Sequence, residues 1–519
     1  MTYLAVPISA PNAAQAREQA EQALAQGAEM LELRTDYLEN LTPEMAVGLL
    51  KEVREAAGAK VPVIVTCRDP REGGALDYAE SLRLAVLLAV LGAGAQFVDV
   101  EYANFAKPEI RHKIEVQLAW NASCRLVLST HDFDGPFDDL DARYREIREA
   151  HPRAVPKLVY TARHINDCFA AFDLLHGRDG DAIVLCMGQA GLISRLLARK
   201  LGGLVTFASL DEASSTAPGQ VTIKQFKDLY RHDSIDAETE LFGVIADPVG
   251  HSLSPAIHNA CFAEQQMNRL YLPLLVQGGR DELFAFLDGL RARPWLGFRG
   301  FSVTIPHKHS LLEYVRTQGG EVEPLAEQIG AANTLICGAD GSVSAYNTDY
   351  AGALDAITNG MGITREGFKN MSIAVVGAGG VSRALVAGFT DAGAKVTIYN
   401  RTVERAEKLA ADFGCEFAGL DALANLDARL VVNCTSIGMH PNVDRSPVPP
   451  EVLKPDMAVF DTVYNPAETL LLKQAQAAGA QTIDGITMFV NQAMAQYHRF
   501  TAQPGNAPLM REAVLNSLQ

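Results

Sequence analysis

Between residues 3 and 209 the chain repeats one alternation: a short run of β-branched and apolar residues, then a longer stretch in which apolar positions recur every three or four residues. An unbroken apolar run of four to eight residues suits a strand buried on both faces, and the 3.6-residue period suits a helix laid over it. The strand candidates are YLAVPIS from Tyr3, MLELRTD from Met30, VPVIVTCR from Val61, FVDVEY from Phe97, RLVLSTHDF from Arg125, VPKLVYTA from Val155, AIVLCM from Ala182 and LVTFAS from Leu204. Amphipathic segments between them, such as AAQAREQAEQALAQG and YAESLRLAVLLAVLG, end in glycine, a common helix stop. Roughly eight parallel strands is the number at which such a sheet closes, so the pattern predicts a (β/α)8 TIM barrel over residues 1–230.

The pattern then breaks. RHDSIDAETE, residues 231–240, is polar without periodicity and reads as a linker. LFGVIADPVGHSLSPAIHNACF, from Leu241, predicts a strand, a loop and a helix entered through Pro255, opening an α/β substrate-binding domain over 241–350. From Met371, MSIAVVGAGGVSRALVAGFTDAGAKVTIYNRT has the order strand, glycine turn, helix, strand, which is one βαβ unit of a dinucleotide-binding domain. Its sheet continues through RLVVNCTS and MAVFDTVY, giving a Rossmann domain over 351–484. Residues 485–519 are helical and are expected to pack back on the domain begun at Leu241.

Composition narrows the partners. With 519 residues, two or three domains are expected at roughly 150 residues each, more for a barrel. A net charge of −17 opposes nucleic acid and anionic lipid, so small-molecule substrates are the expected partners, drawn in by local cationic pockets. The eight cysteines form no CxxC pair and no metal-spaced cluster with histidine, so reduced thiols and no metal are expected. No apolar stretch reaches membrane-span length and the N-terminus lacks a secretory pattern, which points to a cytoplasmic address.

Candidate chemistry falls where a barrel places it, at the carboxyl ends of the strands. Glu32, Arg34 and Asp36 close the second strand, Arg68 the third, Asp99 and Glu101 the fourth, and His131 with Asp132 the fifth. Lys157 lies nearer the start of its strand, so its stem must run up the interior to join them; read alone it is a rim lysine, and His131 a satisfied polar residue. In the C-terminal half, Gly377, Ala378, Gly379 and Gly380 follow an apolar strand and open a helix, where backbone N–H groups meet a pyrophosphate. Asn400, Arg401 and Thr402 stand where an NAD binder carries an acid, which favours NADP; Arg405 reads equally as a surface residue. Lys308 and Asp349, if within reach of one another, suit proton transfer at a carbonyl or alcohol, although in isolation they read as a surface ion pair.

The ordered set HSLSP, VTIPHK, GAANT, YNTD, GAGGVSRA, NRT, NCTSIGM and DGITMFVNQA resembles the shikimate dehydrogenase family over nearly all of residues 241–519. The resemblance implies that Ser252 and Ser254 hold the substrate carboxylate and that Thr304, Asn333, Asp349 and Gln492 bind ring hydroxyls. It further implies a catalytic pair of Lys308 and Asp349, Tyr464 lining the site, and NADP contacts from Thr435, Met439, Gly485 and Met488. Ser302 and His307, where many bacterial members have Asn and Phe, resemble the plant-type fused enzymes.

Over residues 3–229, LELRTD, TCRDPREGG, VDVE, STHDF, VPK, GLISR and TAPGQ resemble the type I 3-dehydroquinate dehydratases. That resemblance implies that Lys157 forms an imine with the substrate ketone, His131 moves the proton and Glu72 orients His131. Arg195 would clamp the carboxylate, Glu32, Arg34 and Arg68 would position hydroxyls and the imine, and Thr216 and Gln220 would close the site. Thr216 replaces the usual Ser, keeping the hydroxyl and adding a methyl. The implied product of the first half is the implied substrate of the second. The rival readings are a barrel that has become a regulatory module, a Schiff-base aldolase in its place, and a quinate or other polyol dehydrogenase in the C-terminal half.

Overall fold

The computed structural model describes every residue except Met1, Ala59, Glu212, Ser214, Ser215, Pro218, His251 and Gln519. His251 of HSLSP and Pro218 of TAPGQ therefore lie outside the described residues. The chain forms two compact units. One comprises Met1–Thr239 with Leu274–Gln277 and Ala285–Arg293; the other comprises Glu240–Pro273, Gly278–Phe284 and Pro294–Gln519.

In the first unit the strands are β1 (Tyr3–Ile8), β2 (Met30–Arg34), β3 (Val63–Thr66), β4 (Phe97–Glu101), β5 (Arg125–Asp132), β6 (Ala154–Thr161), β7 (Ile183–Met187) and β8 (Val205–Phe207). They form one sheet in the order β7-β6-β5-β4-β3-β2-β1-β8, with parallel neighbours throughout. Beside the seam between β7 and β8, the Leu204 N–H donates to the Ala182 carbonyl at 2.8 Å. Helices cover the outer face and side chains fill the interior, so the strands are largely buried on both faces, which is why their apolar runs are continuous rather than alternating.

Side chains two apart on a strand share a face, and this period sets the vertical order of the interior. One apolar residue from each strand, Ala5, Met30, Ile64, Phe97, Val127, Val155, Ile183 and Val205, packs into a buried cluster. Two residues further along stand Glu32, Thr66, Asp99, Ser129 and Lys157, all buried. Two further again stand Arg34, Arg68, Glu101 and His131. The barrel interior is thus apolar at its base and charged toward the carboxyl ends.

The polar segment 231–240, read as a linker, is ordered and held at two points. Its residues His232–Ser234 form a 3-10 turn, His232 is fully buried edge-on to the Phe226 ring, and Lys200 Nζ donates to the carbonyls of Ala237 at 2.6 Å and Thr239 at 2.8 Å. Asp233, Ser234, Asp236, Ala237 and Glu238 are exposed, while His232 and the Lys200 contacts anchor the segment.

The second unit holds two sheets. The strands β9 (Glu240–Ala246), β10 (Arg269–Leu275), β11 (Phe298–Val303), β12 (Glu321–Val322), β13 (Thr334–Cys337) and β14 (Val343–Tyr346) form a mixed sheet ordered β10-β9-β11-β13-β14-β12. The strands β15 (Ser372–Val376), β16 (Lys395–Tyr399), β17 (Glu416–Ala418), β18 (Leu430–Asn433), β19 (Ala458–Asp461) and β20 (Gln481–Ile483) form a parallel sheet ordered β17-β16-β15-β18-β19-β20. That is the 3-2-1-4-5-6 order of a dinucleotide-binding fold, with its switch point between β15 and β18. The helix Thr348–Met361 runs across the boundary expected at residue 350, so one rigid element belongs to both parts. The helices Gly485–Thr501 and Ala507–Ser517 bury Ile486, Val490, Ala493, Tyr497, Met510 and Val514 against Phe242, Val244, Ile257 and Phe262 of the mixed-sheet domain. Among the described residues no helix is long and apolar enough to cross a membrane.

Helix Thr348–Met361 and helix Gly485–Thr501 meet at a glycine: a Cβ on Gly352 would lie 2.7 Å from the Gln492 backbone nitrogen. Backbone cannot rotate aside, so the helices would have to part. Gly352→Ala is expected to lower stability by about 1–3 kcal/mol despite its gain in helix propensity. A urea midpoint followed by circular dichroism checks this, and a midpoint unchanged or raised contradicts it.

Candidate functional site

The charged layer of the barrel is a closed network. Lys157 Nζ donates to Asp99 Oδ2 at 2.8 Å and to Glu32 Oε1 at 3.3 Å, and sits 4.8 Å from the centre of the Phe207 ring. Arg68 donates to Asp99 at 2.8 Å, Glu101 at 2.9 Å and Ser129 Oγ at 2.6 Å, while Ser129 donates to the other Asp99 oxygen at 2.6 Å. Thr66 donates to Glu32 at 2.8 Å. Burial opposes every one of these charges. The Arg68 and Lys157 cations nevertheless hold the Asp99 carboxyl below the usual carboxylate range, and Asp99 with Glu101 raises the Arg68 guanidinium. Arg34 is bound bidentately by Asp36 at 2.9 and 2.7 Å and reaches the Gly73 carbonyl at 3.3 Å.

Lys157, His131, Glu72, Glu32, Arg34, Arg68, Arg195, Thr216 and Gln220 all line one cavity of about 620 Å³, open to solvent, together with Phe133 and Met187. Within it, Glu72 Oε2 faces both the backbone N–H of His131 at 3.1 Å and the ring Nδ1 at 2.9 Å. An oxygen already accepting a backbone N–H accepts from Nδ1 as well, so the ring proton resides on Nδ1 and the Nε2 lone pair is free. Burial, reinforced by the Arg68 and Lys157 cations, holds the His131 ring well below its ordinary pKa, so it is neutral. Burial pushes Glu72 up to about 7.

Arg195 lies in the helix Leu192–Leu197, is 2% exposed, and its Nε has no hydrogen-bond partner. Among the described residues no carboxylate pairs with it, and burial lowers its pKa to about 10. A buried guanidinium lining a cavity without a counter-charge is a receptor for an anion. Thr216 and Gln220 interlock, with the Thr216 N–H donating to Gln220 Oε1 at 2.9 Å.

In the second unit Lys308 Nζ contacts Asp349 Oδ2 at 2.5 Å, both side chains less than one-fifth exposed. Lys308 opens the helix Lys308–Thr317 after β11, and Asp349 lies in the first turn of the helix capped by Asn347. Asn333 fixes that turn: its Oδ1 accepts from Thr348 N at 2.8 Å and its Nδ2 donates to Thr348 Oγ1 at 3.0 Å. Thr304 follows β11, Ser252 Oγ accepts from Ser254 N at 3.4 Å, and Ser254 begins the helix Ser254–Glu264. Tyr464 stacks on Phe489 with ring centres 4.8 Å apart, and Gln492 donates to the Phe489 carbonyl at 2.9 Å.

The glycine turn after β15 is shaped for a pyrophosphate. Gly377 has φ +115°, closed to other side chains, while a Cβ on Gly379 or Gly380 would meet nothing within 4 Å, which leaves an open cradle at the N-terminus of helix Gly380–Asp391. Ala378 lies between them, half-buried. Asn400 Nδ2 donates to the Thr402 carbonyl at 2.8 Å, and Arg401, Thr402 and Arg405 are exposed. Thr435 donates through N and Oγ1 to Asn433 Oδ1 at 2.9 and 2.7 Å; Met439 is exposed, and Met488 is buried. Gly485 stands where a Cβ would lie 2.3 Å from the Val463 carbonyl oxygen.

Two residues to which the family resemblance gave no role, Asp99 and Ser129, stand in this network. Asp99 was legible as a strand-end carboxylate, but nothing in the sequence joined it to Lys157, 58 positions away. Ser129, two residues before His131 on one face of β5, was signalled only by the period of the strand.

Residues 4–237 match the family model for type I 3-dehydroquinase. Residues 244–335 match the shikimate dehydrogenase substrate binding domain, 363–446 shikimate / quinate 5-dehydrogenase, and 485–515 the shikimate 5'-dehydrogenase C-terminal domain. The chain is 36% identical over 494 residues to a bifunctional 3-dehydroquinate dehydratase/shikimate dehydrogenase, chloroplastic, of Arabidopsis thaliana, covering 92% of this chain and 78% of that protein. It is 40% identical over 289 residues to a shikimate dehydrogenase (NADP(+)) of Methanosarcina barkeri, covering 54% of this chain and 99% of the relative. A crystal structure of a shikimate dehydrogenase in complex with NADP+ aligns with TM-score 0.50 at 36% identity, covering 55% of this chain and 98% of that one.

The Glu72–His131 geometry has a direct readout. In protein labelled with 15N-histidine, the His131 ring should carry its proton on Nδ1 at pH 8, where Glu72 is ionised, and should still be neutral at pH 6, below the ordinary histidine midpoint of about 6.5. Glu72→Gln retains an acceptor oxygen and should preserve the tautomer. A His131 ring already cationic at pH 6.5 contradicts the assignment.

Proposed function

The chain belongs to the family of bifunctional 3-dehydroquinate dehydratase/shikimate dehydrogenases, and from that premise we propose how its own residues divide the work. The barrel dehydrates 3-dehydroquinate to 3-dehydroshikimate, and the C-terminal unit reduces 3-dehydroshikimate to shikimate with NADPH. The observation that carries the residue assignment is the convergence of Lys157, the Glu72–His131 couple and the unpaired Arg195 cation on one cavity.

In the barrel, Arg195 receives the substrate carboxylate, the anion that its buried guanidinium lacks. Lys157 attacks the ketone as the free amine, losing its proton and expelling water to form an iminium. Asp99, gripped by Arg68, keeps its negative charge beside the nascent cation; Glu32, the other carboxylate in contact with Lys157, takes the lysine proton. The iminium draws electron density from the adjacent carbon, so the neutral Nε2 of His131 can remove its proton. The imidazolium so formed is stabilised by Glu72 and gives the same proton to the departing hydroxyl, which leaves as water. Hydrolysis of the iminium returns Lys157. Arg34 and Arg68 position hydroxyls and the imine, and Thr216 with Gln220 closes the mouth.

In the C-terminal unit, Gly377, Ala378, Gly379 and Gly380 take the pyrophosphate, Asn400, Arg401, Thr402 and Arg405 meet the 2′-phosphate, and Thr435, Met439, Gly485 and Met488 line the remainder of the cleft. When bound, NADPH supplies the hydride. Ser252 and Ser254 hold the substrate carboxylate, and Thr304, Asn333, Tyr464 and Gln492 surround the ring. Lys308 polarises the ketone oxygen and, with Asp349, delivers the proton that makes it an alcohol. The eight free thiols suit a reducing compartment, and the cytoplasm is the address we propose.

Adding 3-dehydroquinate and NADPH to the protein should produce conjugated enone and then consume NADPH. Lys157→Ala should abolish enone formation, by roughly a thousandfold or more, yet leave reduction of supplied 3-dehydroshikimate intact. Borohydride should fix substrate mass on the Lys157 peptide, and an adduct elsewhere overturns the assignment.

The dehydratase should also lose kcat/KM as pH falls through about 7, because Glu72 then takes a proton and the transient imidazolium loses its counter-charge. Glu72→Gln imitates that protonated state at every pH. Its rate should fall about 10²-fold and the acid limb near pH 7 should vanish. A limb that persists unchanged in the variant rules out Glu72 as its source.

A further inference from the structure

Four buried polar residues of the C-terminal unit, Tyr271, Ser302, Gln496 and Thr334, are left unused by these roles and lead to Asn333. The Tyr271 hydroxyl donates to Ser302 Oγ at 2.6 Å, and Ser302 donates to Gln496 Oε1 at 2.7 Å. Gln496 Nε2 lies 3.2 Å from Thr334 Oγ1 and 3.4 Å from the Asn333 carbonyl oxygen. Thr334 Oγ1 in turn donates to Asn333 Oδ1 at 2.9 Å. Tyr271 and Thr334 are fully buried, and Ser302, Gln496 and Asn333 nearly so.

Hydroxyls and amides can share protons in several arrangements, but two backbone groups remove the choice here. A backbone carbonyl only accepts, so the Gln496 atom facing Asn333 is the nitrogen and the atom facing Ser302 is the oxygen. At the far end the Thr348 N–H donates to Asn333 Oδ1 at 2.8 Å, so that atom is oxygen and the Thr334 hydroxyl must give its proton to it. Thr334 Oγ1 is then the acceptor for Gln496, Ser302 spends its proton on Gln496, and Tyr271 spends its own on Ser302. Every donor points one way, from Tyr271 to Asn333. The near end is the Tyr271 hydroxyl on β10, beside β9 in the mixed sheet. The far end is the turn that carries Asp349.

We propose that Tyr271 and Ser302 are positioning residues of the dehydrogenase: through Gln496 they lock the orientation of Asn333, which holds the Thr348–Asp349 turn against Lys308. The inference rests on the dehydrogenase reading of this site and names what keeps it assembled. A serine is required at 302 because one hydroxyl must both accept and donate across the gap; alanine leaves a buried donor and a buried acceptor facing each other unpaired.

Ser302→Ala should lower kcat/KM for 3-dehydroshikimate about 10- to 100-fold, with KM raised as well as kcat reduced. Ser302→Thr, which keeps the hydroxyl, should recover to within about fivefold. NADPH affinity measured by fluorescence and 3-dehydroquinate dehydration by the same chain should stay at wild-type values. Tyr271→Phe removes one oxygen from the run and serves as the second variant should Ser302→Ala not fold; a loss of the same kind is expected. Kinetic constants within threefold of wild type in the folded variants, or a threonine variant as impaired as the alanine one, overturn the proposal. The unmodified protein separates the two failures. If it does not reduce 3-dehydroshikimate, the assignment of the site falls; if it does and Ser302→Ala is indifferent, only the positioning run falls.

Discussion

The barrel is organised around one electrostatic requirement: a lysine ammonium taken out of water must meet negative charge at hydrogen-bonding distance. Asp99 meets it, and because a lone carboxylate is as costly to bury as a lone ammonium, Arg68, Glu101, Ser129 and Thr66 follow. Deleting one member of such a buried set typically costs about 3–5 kcal/mol, since the remaining charge loses its partner. The network is thereby rigid. That rigidity suits the nucleophile role we propose for Lys157, because a ketone must approach an amine whose position does not wander. Arg195 is the exception, a buried cation with no carboxylate partner among the described residues.

The C-terminal unit solves a different problem with different materials. Its Lys308–Asp349 pair, to which we assign the proton transfer, is partly open to water, and its geometry depends on neutral hydrogen bonds and on backbone packed against backbone. Asn333 pins the first turn of helix Thr348–Met361, and Gly352 lets that helix lie against the one bearing Gln492. The same helix spans the mixed-sheet domain and the start of the nucleotide-binding domain.

The elements that buried their apolar residues in continuous runs were readable from sequence, and all eight barrel strands lie where those runs lie. The glycine turn was readable for the same kind of reason, since Gly377, at φ +115°, occupies a conformation that few other residues tolerate. What could not be read was pairing across distance. Lys157 and Asp99 meet because β4, β5 and β6 are neighbours in register; Ser302 and Gln496 meet across 194 residues because the last helices fold back. In the polar stretch 231–240, read as a linker, Lys200 captures two carbonyls and His232 is sealed inside, contacts that local composition does not show. Arg195 sits within an apolar helix and carries no local mark of its role; only the family resemblance singled it out.

The apolar layer from Ala5 to Val205 closes the barrel below the charged tier. The chamber is consequently a cul-de-sac: whatever enters past Phe133 and Gln220 has to back out the same way. Turnover in this half is single-file traffic through one doorway, so an enone lingering at the threshold is an obstacle to the next ketone, and high product levels slow the reaction by occupancy alone.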